Sequence, residues 1–292
     1  MLIENANAKI NVYLNVTAKR ENGYHDIVSI MQTVSLCDRV SIDLTPAEQT
    51  LVMLSASGNK SMPTNENNLA YRAAMLFLKE TGIVGNVTLH IEKQIPMAAG
   101  LAGGSADAAA VFRGLNKLCG SPLSLDSLCK LGCTLGADIP FCIRRGSALV
   151  TGIGDVQEEI APMPFSSIVI ACGGDGVSTP AAYGALDDKY DSFKSPCVPP
   201  SHYEKIVEAW KRQSPFEACA HFYNIFEEVV PKERPCVDKI KSTMLQCGAV
   251  RAMMSGSGPS VFGIFASAKE ANTAQECLIQ QGVAAFVVHP VQ

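Results

Sequence analysis

Residues 94–110, Gln-Ile-Pro-Met-Ala-Ala-Gly-Leu-Ala-Gly-Gly-Ser-Ala-Asp-Ala-Ala-Ala, hold the densest chemical signal in this chain. An alternating apolar run (Val87, Leu89, Ile91) leads through Pro96 into a loop of small residues. Ser105 then opens an alanine-rich helix with Asp107 in its first turn. Small side chains let backbone N–H groups approach a ligand, and a helix start adds unsatisfied donors and a partial positive charge. Small residues also mark tight helix–sheet packing. Gathered at a strand–loop–helix junction, they point to an anion site, phosphate above all. No Gly-Lys-Ser/Thr follows, so this is not a Walker A loop.

Four further constellations could carry chemistry. Lys9 and Asn11 share the polar face of the first strand, where a lysine is either a solvated edge charge or a functional one. Its apolar neighbours Ala8 and Ile10 favour the second reading. Gly23-Tyr24-His25-Asp26 follows a charged turn; an aromatic beside a histidine suits either a packed core or a clamp on a planar base. In Leu135-Gly136-Ala137-Asp138-Ile139-Pro140-Phe141 a lone acid either caps a turn or stands partly desolvated as a proton acceptor. Met254-Ser255-Gly256-Ser257-Gly258-Pro259-Ser260 is a second Gly/Ser loop between strands. It reads as a hairpin turn or, with the first loop, as part of a nucleotide site.

Bulk properties bound these readings. With 292 residues the chain has room for two cores. A net charge of −4 argues against a nucleic-acid partner, which meets a basic face. The expectations are a cytoplasmic protein with no signal peptide, no membrane span and no membrane partner. The 11 cysteines are odd in number and scattered without a Cys-x-x-Cys, so they read as small buried hydrophobes rather than disulfides or a zinc site.

The elements that must position these residues follow from periodicity. Residues 8–16 alternate, with Ala8, Ile10, Val12, Leu14 and Val16 on one face and Lys9, Asn11, Tyr13 and Asn15 on the other. Strands are expected at 27–34, 39–44 and 86–92. A helix is expected over 69–80, another up to about Leu118, and a short one after Ser124. The second half reads strand (167–172), helices (203–212, 216–229, 237–246), strands (249–254, 260–266), helix (268–281), strand (284–289). With the extra helices as insertions, that is a ferredoxin-like β-α-β-β-α-β unit. Residues 187–202, with Pro196, Pro199 and Pro200, read as a loop or insertion.

In this order the motifs resemble those of the GHMP kinases, small-molecule kinases named for galactose, homoserine, mevalonate and phosphomevalonate. The family's first motif resembles residues 5–16, its phosphate loop 96–106 and its third motif 254–260. Ala8-Lys9-Ile10-Asn11, Arg20-x-x-Gly23-Tyr24-His25 and Leu135-Gly136-Ala137-Asp138-Ile139-Pro140 are most similar to members acting on 4-diphosphocytidyl-2-C-methyl-D-erythritol in non-mevalonate isoprenoid synthesis. Ala98, Ala99 and Ala102 stand where glycines are common, and Ala106 where a second serine is usual. Alanine has little freedom for positive φ, so a stiffer loop is expected.

The resemblance implies an α+β fold of two domains. Residues 1–157 would form a domain like ribosomal protein S5 domain 2, and 158–292 a ferredoxin-like domain. It implies ATP-dependent phosphorylation of the substrate's C2 hydroxyl, with Mg²⁺. Asp138 would be the general base and Lys9 would keep it ionised, since a cation within about 4–6 Å lowers a carboxylate pKa by ~1–3 units. ATP would meet Pro96, Met97, Ala98, Ala99, Gly100, Leu101, Ala102, Gly103, Gly104, Ser105 and Ala106, with Asn65, Asn68, Leu69 and Lys93 at adenosine and Ser105 at the metal. Asn11, Tyr24, His25, Asp138, Thr179 and Tyr183 would contact the substrate, the two tyrosines on opposite faces of the cytosine. A monomer or weak homodimer is expected. The alternatives are a kinase for another small alcohol and a non-catalytic ligand-binding member of the fold.

Overall fold

The structure, a computed structural model, describes residues 1–59, 61–165, 167–193 and 202–292. Up to Arg144 its elements are β1 (Leu2–Lys19), β2 (His25–Pro46), β3 (Leu51–Ser57), α1 (Leu69–Thr81), β4 (Gly85–Glu92), α2 (Gly103–Leu118), α3 (Leu125–Cys133) and α4 (Ile139–Arg144). Then come β5 (Ser147–Thr151), β6 (Val156–Glu159), β7 (Ile168–Cys172), α5 (Thr179–Lys189), α6 (Tyr203–Lys211), α7 (Pro215–Cys219) and β8 (Tyr223–Asn224). The chain closes with α8 (Val230–Glu233), α9 (Cys236–Gln246), β9 (Arg251–Met254), β10 (Val261–Ile264), α10 (Ala268–Gln280) and β11 (Ala284–Val288).

Two compact units interleave along the sequence. The first takes Met1–Ala8, Leu36–Met97 and Ala102–Arg145; the second takes Lys9–Ser35, Ala98–Leu101 and Gly146–Gln292. Strands β1 and β2 therefore each give one stretch to either unit. The expected boundary at 157 divides the chain in sequence, whereas these units divide it in space.

In the first unit, β4 pairs antiparallel with β2 (Arg39↔Glu92 to Pro46↔Gly85) and parallel with β3 (Leu51↔Asn86 to Ser57↔Glu92). Alternation in β4 buries Val87, Leu89 and Ile91. Helix α1 buries the stripe Ala70, Ala73, Ala74, Phe77 and Leu78. Asn68 caps it by accepting from the Ala70 amide at 2.8 Å, and left-handed Gly82 ends it. Helix α2 buries an alanine run (Ala106, Ala108, Ala109, Ala110) followed by Val111, Phe112 and Leu115, and Ile42 packs so closely on Gly114 that a Cβ there would collide with it.

In the second unit, β2 pairs antiparallel with β5 (Ser29↔Val150 to Gln32↔Ser147), and β1 lies parallel to β8 at Tyr13↔Tyr223 and Leu14↔Asn224. A separate four-stranded antiparallel sheet has the order β11-β7-β10-β9. With α9 and α10 this is the expected ferredoxin-like arrangement. Its core joins Val169, Ala171, Val261 and Ala252 to Ile240, Met244, Ala274 and Leu278.

Several expectations are corrected. The strands at 27–34 and 39–44 are one strand, β2, because the residues between them keep extended backbone. The helix expected over 216–229 is broken: α7 ends at Cys219, Tyr223–Asn224 joins β1, and Ile225–Glu228 is a 3₁₀ turn capped by Asn224. Residues 187–189 end α5 rather than beginning a loop. The stretch 194–201, with Pro196, Pro199 and Pro200, lies outside the described residues. None of the ten described cysteines is in a disulfide. Among the described residues no helix is long and apolar enough to cross a membrane.

Candidate active site

In the first unit the chemistry gathers at the start of α2. Ala102, at the N-cap, is left-handed (φ 57°, ψ 29°) and has no side chain with which to cap. The first backbone hydrogen bond of the helix is Ala106 N–H to Ala102 O at 2.9 Å. Among the described residues the Gly103, Gly104 and Ser105 amides have no acceptor. Unsatisfied N–H groups at a 16-residue helix terminus fit an anion, and the exposed Gly104 keeps the approach open. Leu69 Cδ1 would lie 3.6 Å from a Cβ on Gly104, so Leu69 borders this turn. A Cβ on Gly136 would lie 3.9 Å from Ser105 Oγ. The turn that carries Asp138 therefore passes beside the Ser105 hydroxyl. Asp138 itself is half-buried at the N-cap of α4 and does not cap it with its side chain.

Beneath this turn is a buried ionic cluster. Lys93 Nζ donates to Asp38 Oδ2 at 2.6 Å and to Asp107 Oδ2 at 2.7 Å. Asp38 Oδ1 also accepts from the Gln94 and Ile95 amides at 2.6 and 2.8 Å, fixing the chain as it leaves β4. Asp107 Oδ1 is buried without a hydrogen-bond partner. Burial pushes the Asp107 carboxyl up to about 7, against the pull of Lys93. Burial lowers the Lys93 ammonium, but its two carboxylate neighbours outweigh that and hold it above its ordinary value. Of the adenosine contacts the resemblance implied, Lys93 is committed to this cluster. The Asn68 side chain is committed to capping α1 and to Pro63 O, while Asn65 is exposed and Leu69 half-buried.

In the second unit, Lys9 and Asn11 meet as their spacing predicts. Lys9 Nζ donates to Asn11 Oδ1 at 2.6 Å, and Asn11 Nδ2 to Ser29 Oγ at 2.9 Å. Both residues are buried, so the face of β1 opposite its apolar residues is packed rather than solvated. The two Gly-rich loops touch directly here. Ser255 Oγ donates to Gly100 O at 3.1 Å, and the Ser260 amide to Ala99 O at 3.3 Å. A Cβ on Gly100 would run into the Ser255 carbonyl oxygen, so glycine is required at this crossing. The Lys9 amide donates to Leu101 O at 3.1 Å, tying β1 to the same loop.

His25 and Tyr183 also come together: their rings stack with centroids 4.7 Å apart and 25° between planes. A planar base inserted between those two would need roughly twice the ~3.5 Å contact distance, so it cannot lie there. Tyr24 is 60% exposed and presents its ring to solvent. Thr179 opens α5, with its hydroxyl 3.1 Å from Ser257 Oγ. Sequence reasoning did not single out Asp38 or Asp187. Asp38 was legible, since it falls on the inward parity of Leu36, Val40 and Ile42. Asp187 follows Tyr183 by one helical turn, a spacing that marks neighbours but no chemistry.

The chain matches the sequence model of the GHMP kinases N terminal domain over residues 68–146 and that of GHMP kinases C terminal over 204–284. It is 40% identical over 279 residues to a 4-diphosphocytidyl-2-C-methyl-D-erythritol kinase of Lachnospira eligens, covering 96% of this chain and 94% of the relative. To a kinase of the same name from Bacillus pumilus it is 42% identical over 263 residues, covering 90% and 88%. A crystal structure of 4-(cytidine 5'-diphospho)-2C-methyl-D-erythritol kinase superposes with a TM-score of 0.83 at 30% identity, over 100% of both chains. A homoserine kinase from Cytophaga hutchinsonii shares the fold, with a TM-score of 0.72 at 18% identity over 97% and 95% of the two chains. On these likenesses the chain belongs to the GHMP kinase family and is an ATP-dependent kinase.

Proposed function

We propose that the chain transfers the γ-phosphoryl group of ATP to the C2 hydroxyl of 4-diphosphocytidyl-2-C-methyl-D-erythritol. The observation that carries phosphoryl transfer is the uncapped start of α2 with Ser105 beside the turn of Asp138. It offers donors for phosphate next to a carboxylate that can take a proton. The choice of alcohol follows the names of relatives about 40% identical over nearly the whole chain.

Asp138 removes the hydroxyl proton as the hydroxyl oxygen bonds to the γ-phosphorus. The bond from that phosphorus to its bridging oxygen breaks, and ADP leaves. The Gly103, Gly104 and Ser105 amides hold phosphate oxygens, so their N–H dipoles face the charge that moves in the transition state. Lys9, oriented by Asn11, supplies positive charge for the substrate alcohol. Among the described residues no group of three or more His, Cys, Asp or Glu could hold a metal ion. Mg²⁺ that binds chiefly through phosphates fits such a set, with the Ser105 hydroxyl as its protein ligand. Mg²⁺ supplies neutralisation of phosphate charge when bound.

An ADP-release assay with the cytidylyl substrate, mevalonate, homoserine and galactose tests the reading. Turnover confined to the cytidylyl substrate is expected. Turnover of another alcohol alone would reassign the chain within its family.

A further inference from the structure

His25 is buried, and among the described residues its one hydrogen bond is at Nε2, 2.7 Å from Asp187 Oδ1. A carboxylate only accepts, so Nε2 must carry the hydrogen. The other oxygen of Asp187 accepts from Lys19 Nζ at 2.6 Å. The ring plane is fixed independently, by stacking on Tyr183 and by the edge contact with Phe193 at 5.8 Å.

We propose that Asp187 is a positioning residue for base recognition: by taking the Nε2 hydrogen it leaves Nδ1 of His25 as an acceptor for an exocyclic amino group. Cytosine carries that amino group, and uracil has a carbonyl oxygen in its place. Two acceptors facing one another leave both without a hydrogen, so the uridine analogue is rejected. Lys19 serves the same purpose one step further out, by holding the carboxylate and balancing its charge. The assignment rests on the reading of the substrate as a cytidylyl compound. Burial acts against ionisation of Asp187, but the hydrogen bonds from His25 and Lys19 outweigh it and hold the carboxyl below its usual range.

The test uses the full chain, wild type, Asp187→Ala and Asp187→Asn, with 4-diphosphocytidyl-2-C-methyl-D-erythritol and its uridine analogue. A neutral hydrogen bond is worth about 0.5–1.5 kcal/mol net. Asp187→Ala should therefore lower the cytidylyl-over-uridylyl ratio of kcat/KM by roughly 3- to 10-fold, with the KM for ATP unchanged. Asp187→Asn, whose amide oxygen can still accept, should keep most of that ratio. Nitrogen-15 spectra of the wild-type His25 ring should show hydrogen on Nε2 alone, and in Asp187→Ala a mixture of both tautomers. A wild type that prefers the cytidylyl compound by the same ratio as Asp187→Ala would overturn the role of Asp187. Hydrogen found on Nδ1 in the wild type would overturn it equally. A wild type with no preference between the bases would instead sink the substrate reading, and this assignment with it.

Discussion

The ammonium of Lys93 sits 2.7 Å from Asp107, whose second carboxyl oxygen is buried without a partner. Asp38 already engages the same ammonium, so one cation faces two buried acids. A Cβ on Gly103 would lie 3.1 Å from Lys93 Nζ, which puts the cluster directly under the start of α2.

This arrangement fixes a pH dependence. The Asp107 carboxyl, raised from 3.8 to about 7, keeps its proton in the folded chain where the unfolded chain has lost it. Its contribution to stability is present below pH 3.8 and declines as pH rises towards 7, by ~1.4 kcal/mol per unit at most. Asp107→Asn carries no titrating group there. The stability of this variant relative to wild type should therefore climb between pH 4 and 7. Urea denaturation across that range checks it, and a constant difference would contradict it.

Ala102 takes a left-handed conformation that costs an L-residue about 1–2 kcal/mol. The expectation that alanine's poor access to positive φ merely stiffens the loop is thus incomplete, because Ala98 (φ 50°) and Ala102 adopt it regardless. Ala102→Gly relieves the strain but loosens the unfolded chain by ~0.4–1 kcal/mol. The net change should be stabilising by up to about 1.6 kcal/mol, read as a higher urea midpoint at unchanged slope. A lower midpoint would mean that the site holds alanine without strain.

Gly104→Ala separates binding from folding. A Cβ there meets only Leu69, at an ordinary 3.6 Å, so the melting temperature should stay level or rise. The added methyl group stands at the exposed second residue of α2, where phosphate would approach. ATP affinity should fall by about tenfold or more, a loss of ~1.4 kcal/mol. Equal affinities by calorimetry would show that phosphate does not bind on these amides.

Periodicity made the fold legible wherever one face is apolar. Val87, Leu89 and Ile91 predicted β4, and the α1 stripe placed that helix within a residue of its observed end. Parity failed on β1: Lys9, Asn11, Tyr13 and Asn15 alternate as a polar face should, yet all four are buried. The hydrogen bonds of Lys9–Asn11–Ser29 compensate the burial of Lys9 and Asn11, and one-dimensional alternation cannot register them. Apolar residues over 216–229 suggested a helix, but pairing of Tyr223 and Asn224 with β1 overrode it. At the site, Ser105 and Gly136 were legible as separate motifs. The links Lys93–Asp38 and His25–Asp187 join residues 55 and 162 positions apart, a distance over which no local pattern operates.

The central claim is that Asp138 takes the proton during phosphoryl transfer to the cytidylyl alcohol, and steady-state kinetics of Asp138→Asn test it most directly. The amide keeps the shape of the side chain but cannot serve as the base, a role worth ~10²–10⁴-fold. With saturating ATP and 4-diphosphocytidyl-2-C-methyl-D-erythritol, kcat should fall by a factor on the order of 10² or more while both KM values stay close to wild type. A variant that keeps near-normal kcat would contradict the account and remove Asp138 from the chemistry.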